Sequence, residues 1–181
     1  ATIKLHAVDV DNVLSSTTEG LAAIRSGRIS LKNAYGSELL PLAVPLESQY
    51  WNGTSYIRNQ QDSCTTVPAS SIAMVNYKNN LSACETQLAY TSGTGVLVNG
   101  VSKYLRLTKP GVGNNGSVDL RINLTKADDS TCNSATSTSA TSAALPWFGN
   151  SNNLPLHSED PSARATFGIF KTPVIYMREN F

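Results

Sequence analysis

Residues 117–124 read SVDLRINL, and their pattern indicates a β fold. Val118, Leu120 and Ile122 alternate with Asp119 and Arg121, which is the period of two that places apolar side chains on one face of a β-strand. Residues 102–108 (SKYLRLT) and 95–98 (GVLV) also predict strands, and the turn-rich KPGVGNNG separates SKYLRLT from SVDLRINL. The chain is therefore predicted to be built from short strands.

Further strands are predicted outward from this stretch in both directions, at residues 2–10, 28–35, 39–51, 164–170 and 174–179. Pro41 and Pro45 share one parity in residues 39–51, and a proline has no N–H for a strand ladder. This predicts an edge strand, or a strand with no neighbour on one side. Asn52-Gly53 predicts a hairpin turn into a return strand at Tyr56.

Three segments do not follow a strand pattern. Residues 15–25 (SSTTEGLAAIR) are compatible with a short helix capped by Ser16 or Thr17, although Gly20 weakens it. Residues 62–90 are predicted to be irregular with short strands. Residues 128–144 are rich in Ser, Thr and Ala and predict a loop or tether.

The fold prediction is all-β. We expect residues 1–181 to form one antiparallel β-sandwich domain, immunoglobulin-like or jelly-roll-like, with long irregular loops and at most one short helix. Residues 1–14 are predicted to form an N-terminal donor or edge strand. The chain opens directly on this strand, so the sequence also suggests a processed product or an excised domain.

Composition favours an exported protein. Only 15% of the residues are charged, and Ser, Thr, Asn and Gly supply the polar surface. The formal net charge is +1 with scattered basic residues, which argues against nucleic acid or anionic lipid as a partner. No apolar run approaches the length of a membrane span.

Cys64, Cys84 and Cys132 lack the close pairs of a zinc site. Three buried thiols are one interpretation, but the composition favours a disulfide. A Cys64–Cys84 pair closes the shorter loop and is preferred on that ground. Cys132 is then the odd cysteine or an alternative partner. An odd cysteine is also compatible with a disulfide bond between subunits.

The sequence predicts no enzyme, no cofactor and no metal site. The two histidines, His6 and His157, form no recognisable triad motif with a serine and an acid. Asp9 and Asp11 share a strand face and Asp128-Asp129 is a second acidic pair, but solvated loop ends explain both better than calcium.

Two tryptophans are candidate stacking residues for a sugar ring, Trp51 beside the Asn-Gly turn and Trp147. Aromatic residues in strands are more often core or cross-strand partners, so this interpretation competes with a purely structural one.

Three blocks carry a family resemblance. They are residues 27–65 (GRISLKNAYGSELLPLAVPLESQYWNGTSYIRNQQDSCT), residues 116–124 (GSVDLRINL), and Pro146-Trp147 followed by EDPSARATFGIFKTPVIYMRENF at 159–181. Together they resemble the C-terminal domain of MshQ-like proteins, which are encoded with the mannose-sensitive haemagglutinin type IV pilus. In those relatives acidic repeats follow the Pro-Trp, whereas this chain has FGNSNNLPLHSEDPS at 148–162, which puts a calcium site there in doubt.

The resemblance implies an exported domain on the surface of a Gram-negative bacterium, associated with pilus biogenesis or adhesion. Two hypotheses follow. In the first, the domain is structural and assembles with its own copies or with other pilus or surface proteins, donating a strand through Ile3, Leu5, Ala7 and Val10 and so forming filaments. In the alternative, it is a monomeric carbohydrate-binding adhesin module that uses Trp51 and Trp147.

Overall fold

The computed structural model describes residues 2–5, 8, 10–12, 14, 20–23, 26–127, 129–148 and 160–168. Within these ranges the chain forms strands and two short 3-10 helices, Ala69–Ser71 and Pro146–Phe148. The strands are β1 (Thr2–Leu5), β2 (Gly20–Ala23), β3 (Gly27–Leu31), β4 (Ala34–Gly36), β5 (Leu42–Ala43), β6 (Leu46–Trp51), β7 (Tyr56–Arg58), β8 (Ile72–Asn79), β9 (Leu88–Tyr90), β10 (Val101–Ser102), β11 (Leu105–Leu107), β12 (Gly116–Ile122), β13 (Ser130–Thr131), β14 (Thr138–Ser139) and β15 (Ser162–Phe167).

The strands form three larger sheets and two small ones. One sheet has the order β4-β15-β12-β8, and a second has the order β5-β11-β9. In the third, β6 pairs with β3 along one side and with β10 and β7, one after the other, along the opposite side. Pairs β1-β2 and β13-β14 stand as two-stranded sheets. All pairs are antiparallel except β15-β4, which confirms the predicted all-β, antiparallel sandwich-like fold.

One hydrophobic core joins the three larger sheets. In β12 the predicted alternation is confirmed, since Val118, Leu120 and Ile122 are buried while Asp119 and Arg121 are turned outward. In the other two larger sheets, β3 and β11 bury alternate side chains in the same way. The largest fully buried side chains are Phe167, Leu46, Ile72, Met74, Leu88, Leu97, Leu105, Leu107, Leu120, Ile122, Leu124 and Val67.

The prediction of irregular structure at residues 62–90 is wrong for its central part. β8, the longest strand in the described chain, occupies Ile72–Asn79. Its period is hidden because the register with β12 shifts between Ser117 and Asp119, which inserts a bulge at Asn76, a residue with φ of 54°. An extra residue in one strand reverses the side-chain alternation beyond it.

The Ser/Thr-rich segment is not a tether where the structure describes it, at residues 129–144. It carries the small strands β13 and β14, and Thr131, Cys132 and Ala140 are buried. The Thr131 hydroxyl donates a 2.7 Å hydrogen bond to the carbonyl of Ile72. Short side chains with satisfied hydroxyls pack against a sheet without the large apolar residues that usually mark a core.

The helix considered at residues 15–25 is wrong for the described part, because β2 pairs with β1 there. The strand at 95–98 is also wrong, since only isolated bridges form, at Val96 and Val98. The C-terminal prediction is confirmed in part by β15, whereas residues 174–179 lie outside the described residues.

The proline-marked segment divides into an edge strand and an interior strand. β5 is the outer strand of its sheet, as Pro41 and Pro45 predicted. β6 has neighbours on both sides, so the prediction of an edge strand is wrong for its residues. Pro45 does not prevent this pairing, because it lies between β5 and β6 and uses only its carbonyl, which accepts a bond from the amide of Lys32 (2.9 Å).

The predicted Asn52-Gly53 hairpin between β6 and β7 is confirmed. The Asn52 carboxamide oxygen accepts bonds from the amides of Thr54 and Ser55, and Gly53 has φ of 107°.

Candidate functional site

The disulfide joins Cys84 to Cys132, and Cys64 is a free, exposed cysteine. The preferred Cys64–Cys84 pair is therefore wrong, and the alternative partner Cys132 is the actual one. The difference in loop-closure entropy between the two pairings is about 0.8 kcal/mol, too little to decide. Packing decides instead. Cys132 follows β13 along the edge of β8, and its carbonyl accepts a 2.8 Å bond from the amide of Leu88.

The N-terminal strand is paired within its own chain. Ile3 and Leu5 belong to β1, which runs antiparallel to β2 from the Thr2–Ala23 pair to the Leu5–Gly20 pair. In this two-stranded sheet β1 is an edge strand, one of the two roles predicted for residues 1–14. Val10 lies in a turn with 98% of its side chain exposed, and Ala7 lies outside the described residues.

Most of the residues considered for catalysis or metal binding, namely His6, His157, Asp9 and Asp128, lie outside the described residues. Asp129 forms a 2.8 Å ion pair with Arg121. Within the described ranges, no cluster of three or more His, Cys, Asp or Glu side chains is placed to hold a metal ion.

The outward face of β3, β6 and β7 forms a continuous surface, which we call the aromatic platform. The strand register sets Gln49 between Arg28 of β3 and Arg58 of β7, and sets Trp51 opposite Tyr56. Residues directly opposite one another, and residues two apart in a strand, share a face. The platform therefore consists of Arg28, Lys32, Glu47, Gln49, Trp51, Tyr56 and Arg58.

Aromatic rings and a guanidinium group meet at one end of the platform. The ring centroids of Trp51 and Tyr56 are 5.3 Å apart in an edge-to-face arrangement. The guanidinium carbon of Arg28 lies 4.0 Å from the centroid of the Tyr56 ring, a cation–π contact. Trp51 keeps 44% of its surface exposed, so an apolar ring face is open to solvent beside a fixed cation.

A chain of hydrogen bonds orients the arginine. The Arg28 Nε donates to the Gln49 Oε1 (2.7 Å), and the Gln49 Nε2 donates to the Glu47 Oε1 (2.6 Å). The same carboxylate oxygen pairs with the Lys32 Nζ at 2.8 Å. Gln49 is thereby held in one amide orientation, and it holds Arg28 over Tyr56.

Glu47, the acceptor at the end of this series of hydrogen bonds, is ionised at neutral pH. Its partial burial acts to raise its pKa, but hydrogen bonds from Lys32 and Gln49 and the positive charges of Lys32 and Arg58 outweigh burial. The pKa of Glu47 is therefore lowered. An ionised Glu47 is the acceptor that the Gln49 amide requires.

The structure does not bring the two predicted stacking residues together. Trp147 is 65% exposed and contacts Phe148, with ring centroids 6.2 Å apart. A side chain at Gly27 would meet the Phe148 ring at 3.0 Å, so Phe148 covers the β3 face that Gly27 shares with Tyr50. Trp51 lies on the opposite face of that sheet.

Sequence reasoning found Trp51 but missed the residues that surround it. Glu47, Gln49 and Trp51 have the same parity in β6, and Arg28 has the outward parity in β3. That signal is present in the sequence. The pairing of Arg28 with Gln49 is not, because it depends on the register between two strands.

A second polar cluster lies on the outward face of β8, β12 and β15, in a surface depression of about 510 Å³. Arg164 contacts Asp119 through two hydrogen bonds, Nε to Oδ1 at 2.7 Å and Nη2 to Oδ2 at 3.3 Å. The Asn76 amide donates to Asp119 as well (3.2 Å). The Arg164 bond lowers the pKa of Asp119. The donors of Arg164 and Asn76 are therefore paired with the carboxylate of Asp119.

The family model for DUF6701, fourth domain, matches residues 25–180. The chain belongs to the DUF6701 family. The match begins before β3 and includes the aromatic platform, whereas β1 and β2 precede it. Neither a curated protein nor a solved structure matches this DUF6701 domain. Over the described residues of the domain, no helix has the length and apolarity to span a membrane.

Proposed function

We propose that this DUF6701 domain is a non-catalytic assembly domain of an exported bacterial surface protein, and that it associates by strand addition. Its partners are other copies of itself or neighbouring pilus and surface proteins. The disulfide is compatible with an exported protein. The resemblance to the C-terminal domain of MshQ-like proteins supports a place at the surface of a Gram-negative cell, in pilus biogenesis or adhesion.

The observation that carries this proposal is the open edge of β3. The amide of Trp51 donates to the carbonyl of Ser26, and the amide of Lys32 donates to the carbonyl of Pro45. In an antiparallel pair these bonds alternate along the strand, so the backbone groups of Gly27, Ile29 and Leu31 point away from β6. No strand of the described chain pairs with β3 on that side.

The other long edge is protected. β8 ends its sheet, but the bulge at Asn76 twists it and Lys78 projects from it. At the start of β8, the hydroxyl of Thr131 in β13 also donates a hydrogen bond to the carbonyl of Ile72. Bulges, lysines and covering segments are the devices by which natural sheets avoid edge pairing. β3 has no bulge and no neighbouring strand on that side in the described chain, and the 3-10 helix Pro146–Phe148 packs against its face at Gly27.

β1 supports the proposal as the donor. It belongs to a two-stranded sheet, which has marginal stability in water when it stands alone. Exchange of β1 from β2 to the β3 edge of another copy replaces one set of strand hydrogen bonds by another. Such a contact is head-to-tail, so repetition of it builds a filament.

Deletion of residues 1–12 tests the assembly proposal. The complete chain is expected to form oligomers that grow with concentration, and the deleted chain is expected to remain monomeric, as measured by light scattering and electron microscopy. Val112→Ser, a change at an exposed turn residue, serves as the control and should leave assembly unchanged. Unchanged oligomers after the deletion, or a complete chain that is monomeric at all concentrations, would show that strand donation is wrong.

The second candidate function is a carbohydrate-binding module that acts as a monomer. The exposed Trp51 ring beside Tyr56 favours it, since sugar rings stack their C–H groups on aromatic faces. A glycan array should show binding by the wild-type chain and loss of binding by Trp51→Ala. Trp147→Ala tests whether the second tryptophan takes part, and an array without any bound glycan rules this candidate out.

A further inference from the structure

We propose that the aromatic platform binds acidic carbohydrates, with Arg28 contacting a carboxylate of the glycan while a sugar ring stacks on Trp51. This inference rests on the carbohydrate-binding candidate and specifies its ligand class as glycans with uronic acid or sialic acid residues. Arg28 is the residue that determines the preference for a charged sugar.

The charge of the platform is locally positive although the chain has a formal net charge of only +1. The platform carries Arg28, Lys32 and Arg58 against a single carboxylate, Glu47. Lys32 is engaged by Glu47 at 2.8 Å. The two arginines therefore set the field around Trp51, and this field attracts an anionic ligand.

Arg28 is preorganised for a carboxylate. A guanidinium group has five N–H donors in a planar fork, and Nε is the donor that bonds to Gln49. Within the described part of the chain, no hydrogen bond engages its two terminal nitrogens. The Tyr56 ring holds the plane of the group from one side, so the remaining donors are presented with little loss of rotamer freedom on binding.

The cation and the stacking surface lie close enough for one ligand. Arg28 and Trp51 both contact the ring of Tyr56, the first at 4.0 Å and the second at 5.3 Å. A pyranose on Trp51 therefore places a carboxylate on the same sugar, or on its neighbour, next to the guanidinium. Glu47 disfavours binding of a second carboxylate near Lys32, which sets the direction of the ligand along the platform.

The test measures binding of the complete chain to matched probes by titration calorimetry. The acidic probe is tetragalacturonate, and its methyl ester is the same sugar without the charge. Sialyllactose and lactose form a second acidic and neutral pair, and a glutamate tetramer presents carboxylates without sugar rings. We expect tetragalacturonate to bind at least about tenfold more tightly than the ester, with an affinity that falls as salt rises.

Variants separate the two contacts. Arg28→Lys keeps the charge but loses the planar fork, so it should lower the affinity for tetragalacturonate by about tenfold and leave the affinity for the ester unchanged. Trp51→Ala should abolish binding of both. Arg106→Lys, on a different sheet, is the matched control and should change neither.

The outcomes distinguish this inference from the function on which it rests. Equal affinities for tetragalacturonate and its ester, or for sialyllactose and lactose, would overturn the preference for acidic sugars and leave carbohydrate binding standing. Binding of the glutamate tetramer as tight as that of tetragalacturonate would show that the platform recognises acidic peptides instead. If none of the four carbohydrate probes binds, the inference on acidic sugars is wrong, and the glycan array decides separately whether the domain binds any carbohydrate.

Discussion

Two outward sheet faces of this protein carry similar polar groups, but on one face the arginine is paired with a carboxylate and on the other it is not. On β8, β12 and β15, Asp119 accepts from Arg164 twice and from Asn76 once, so one carboxylate takes up the donors around it. On β3, β6 and β7, Arg28 is held by Gln49 and Tyr56. There the bonds orient the guanidinium group without matching it to a carboxylate.

A polar surface becomes a candidate binding site when its internal hydrogen bonds leave donors or acceptors available to a ligand. Arg164 lies directly opposite Asp119 in neighbouring strands, an opposite-charge pair that stabilises the sheet. Arg28 lies opposite Gln49, a neutral residue that accepts one bond from Arg28 and is itself oriented by the bond it donates to Glu47. The first face is therefore structural, and the second is the one we propose for binding.

The largest expected effect comes from the disulfide beside β8, on the structural side of the molecule. Replacing both Cys84 and Cys132 by Ser removes a cross-link between residues 48 apart, which should lower the free energy of unfolding by about 3–4 kcal/mol. Urea denaturation measures this loss. Cys64→Ser is the control and should leave stability unchanged. A loss confined to carbohydrate affinity, with stability intact, would contradict the division between the two faces.

Gly116→Ala should have the next largest effect. A methyl group at Gly116 would collide with the carbonyl oxygen of Lys78 and approach the Leu81 Cβ to 2.7 Å. Overpacking of this kind costs about 1–3 kcal/mol of stability. Thermal unfolding of the variant should show the loss, whereas Ser162→Ala at an exposed position of the same sheet should change little. A fully stable Gly116→Ala protein would mean that the paired β8 and β12 are less tightly packed than we infer.

Asp119→Asn tests the structural face through its pH dependence. The Arg164 bond lowers the pKa of Asp119 below its usual value, so the pair stabilises the fold above that usual value. The contribution is lost as the pH falls through the lowered pKa of the folded protein. At neutral pH the variant should be less stable than the wild type by a small margin, because the pair is partly exposed to solvent. Urea midpoints measured across acidic pH should bring variant and wild type together at the acid end. A constant difference would contradict this account.

Lys32→Met should have the smallest effect. The Lys32 side chain is 54% exposed, so its 2.8 Å pair with Glu47 should contribute less than about 0.5 kcal/mol to stability. The same denaturation series gives the value. A larger loss for Lys32→Met than for Asp119→Asn would reverse the comparison, because the platform would then be the face whose ion pairs stabilise the fold.

Much of the fold was predictable where the signal is local. The alternation around Leu120 and the Asn52-Gly53 turn predicted strands and a hairpin that the structure confirms, because side-chain parity and turn geometry depend on adjacent residues. β8 was missed because its bulge at Asn76 reverses the parity. The small strands at residues 129–144 were missed because their buried residues are small or polar.

The candidate site was predictable only in part. Trp51 stood out as an aromatic residue beside a turn, and the structure shows that it is exposed. Trp147 was the second candidate, but it lies in the 3-10 helix Pro146–Phe148 and contacts Phe148. The sequence did not predict a binding role for Arg28, since an arginine on the polar side of an amphipathic strand is common. Its position over Tyr56 depends on pairing between three strands, β3, β6 and β7, of a four-stranded sheet.

The amino-acid sequence was sufficient to predict the all-β class, the alternation of β12, the β6–β7 hairpin and a family resemblance, since each of these depends on residues that are neighbours or follow in order along the chain. Only the folded chain shows which cysteines form the disulfide, which described strands have an unpaired edge, and which side chains surround Trp51. Those features depend on contacts between residues far apart in the chain. The physical reason is that period and turn chemistry act over a few residues, whereas register and packing are settled only when whole sheets meet.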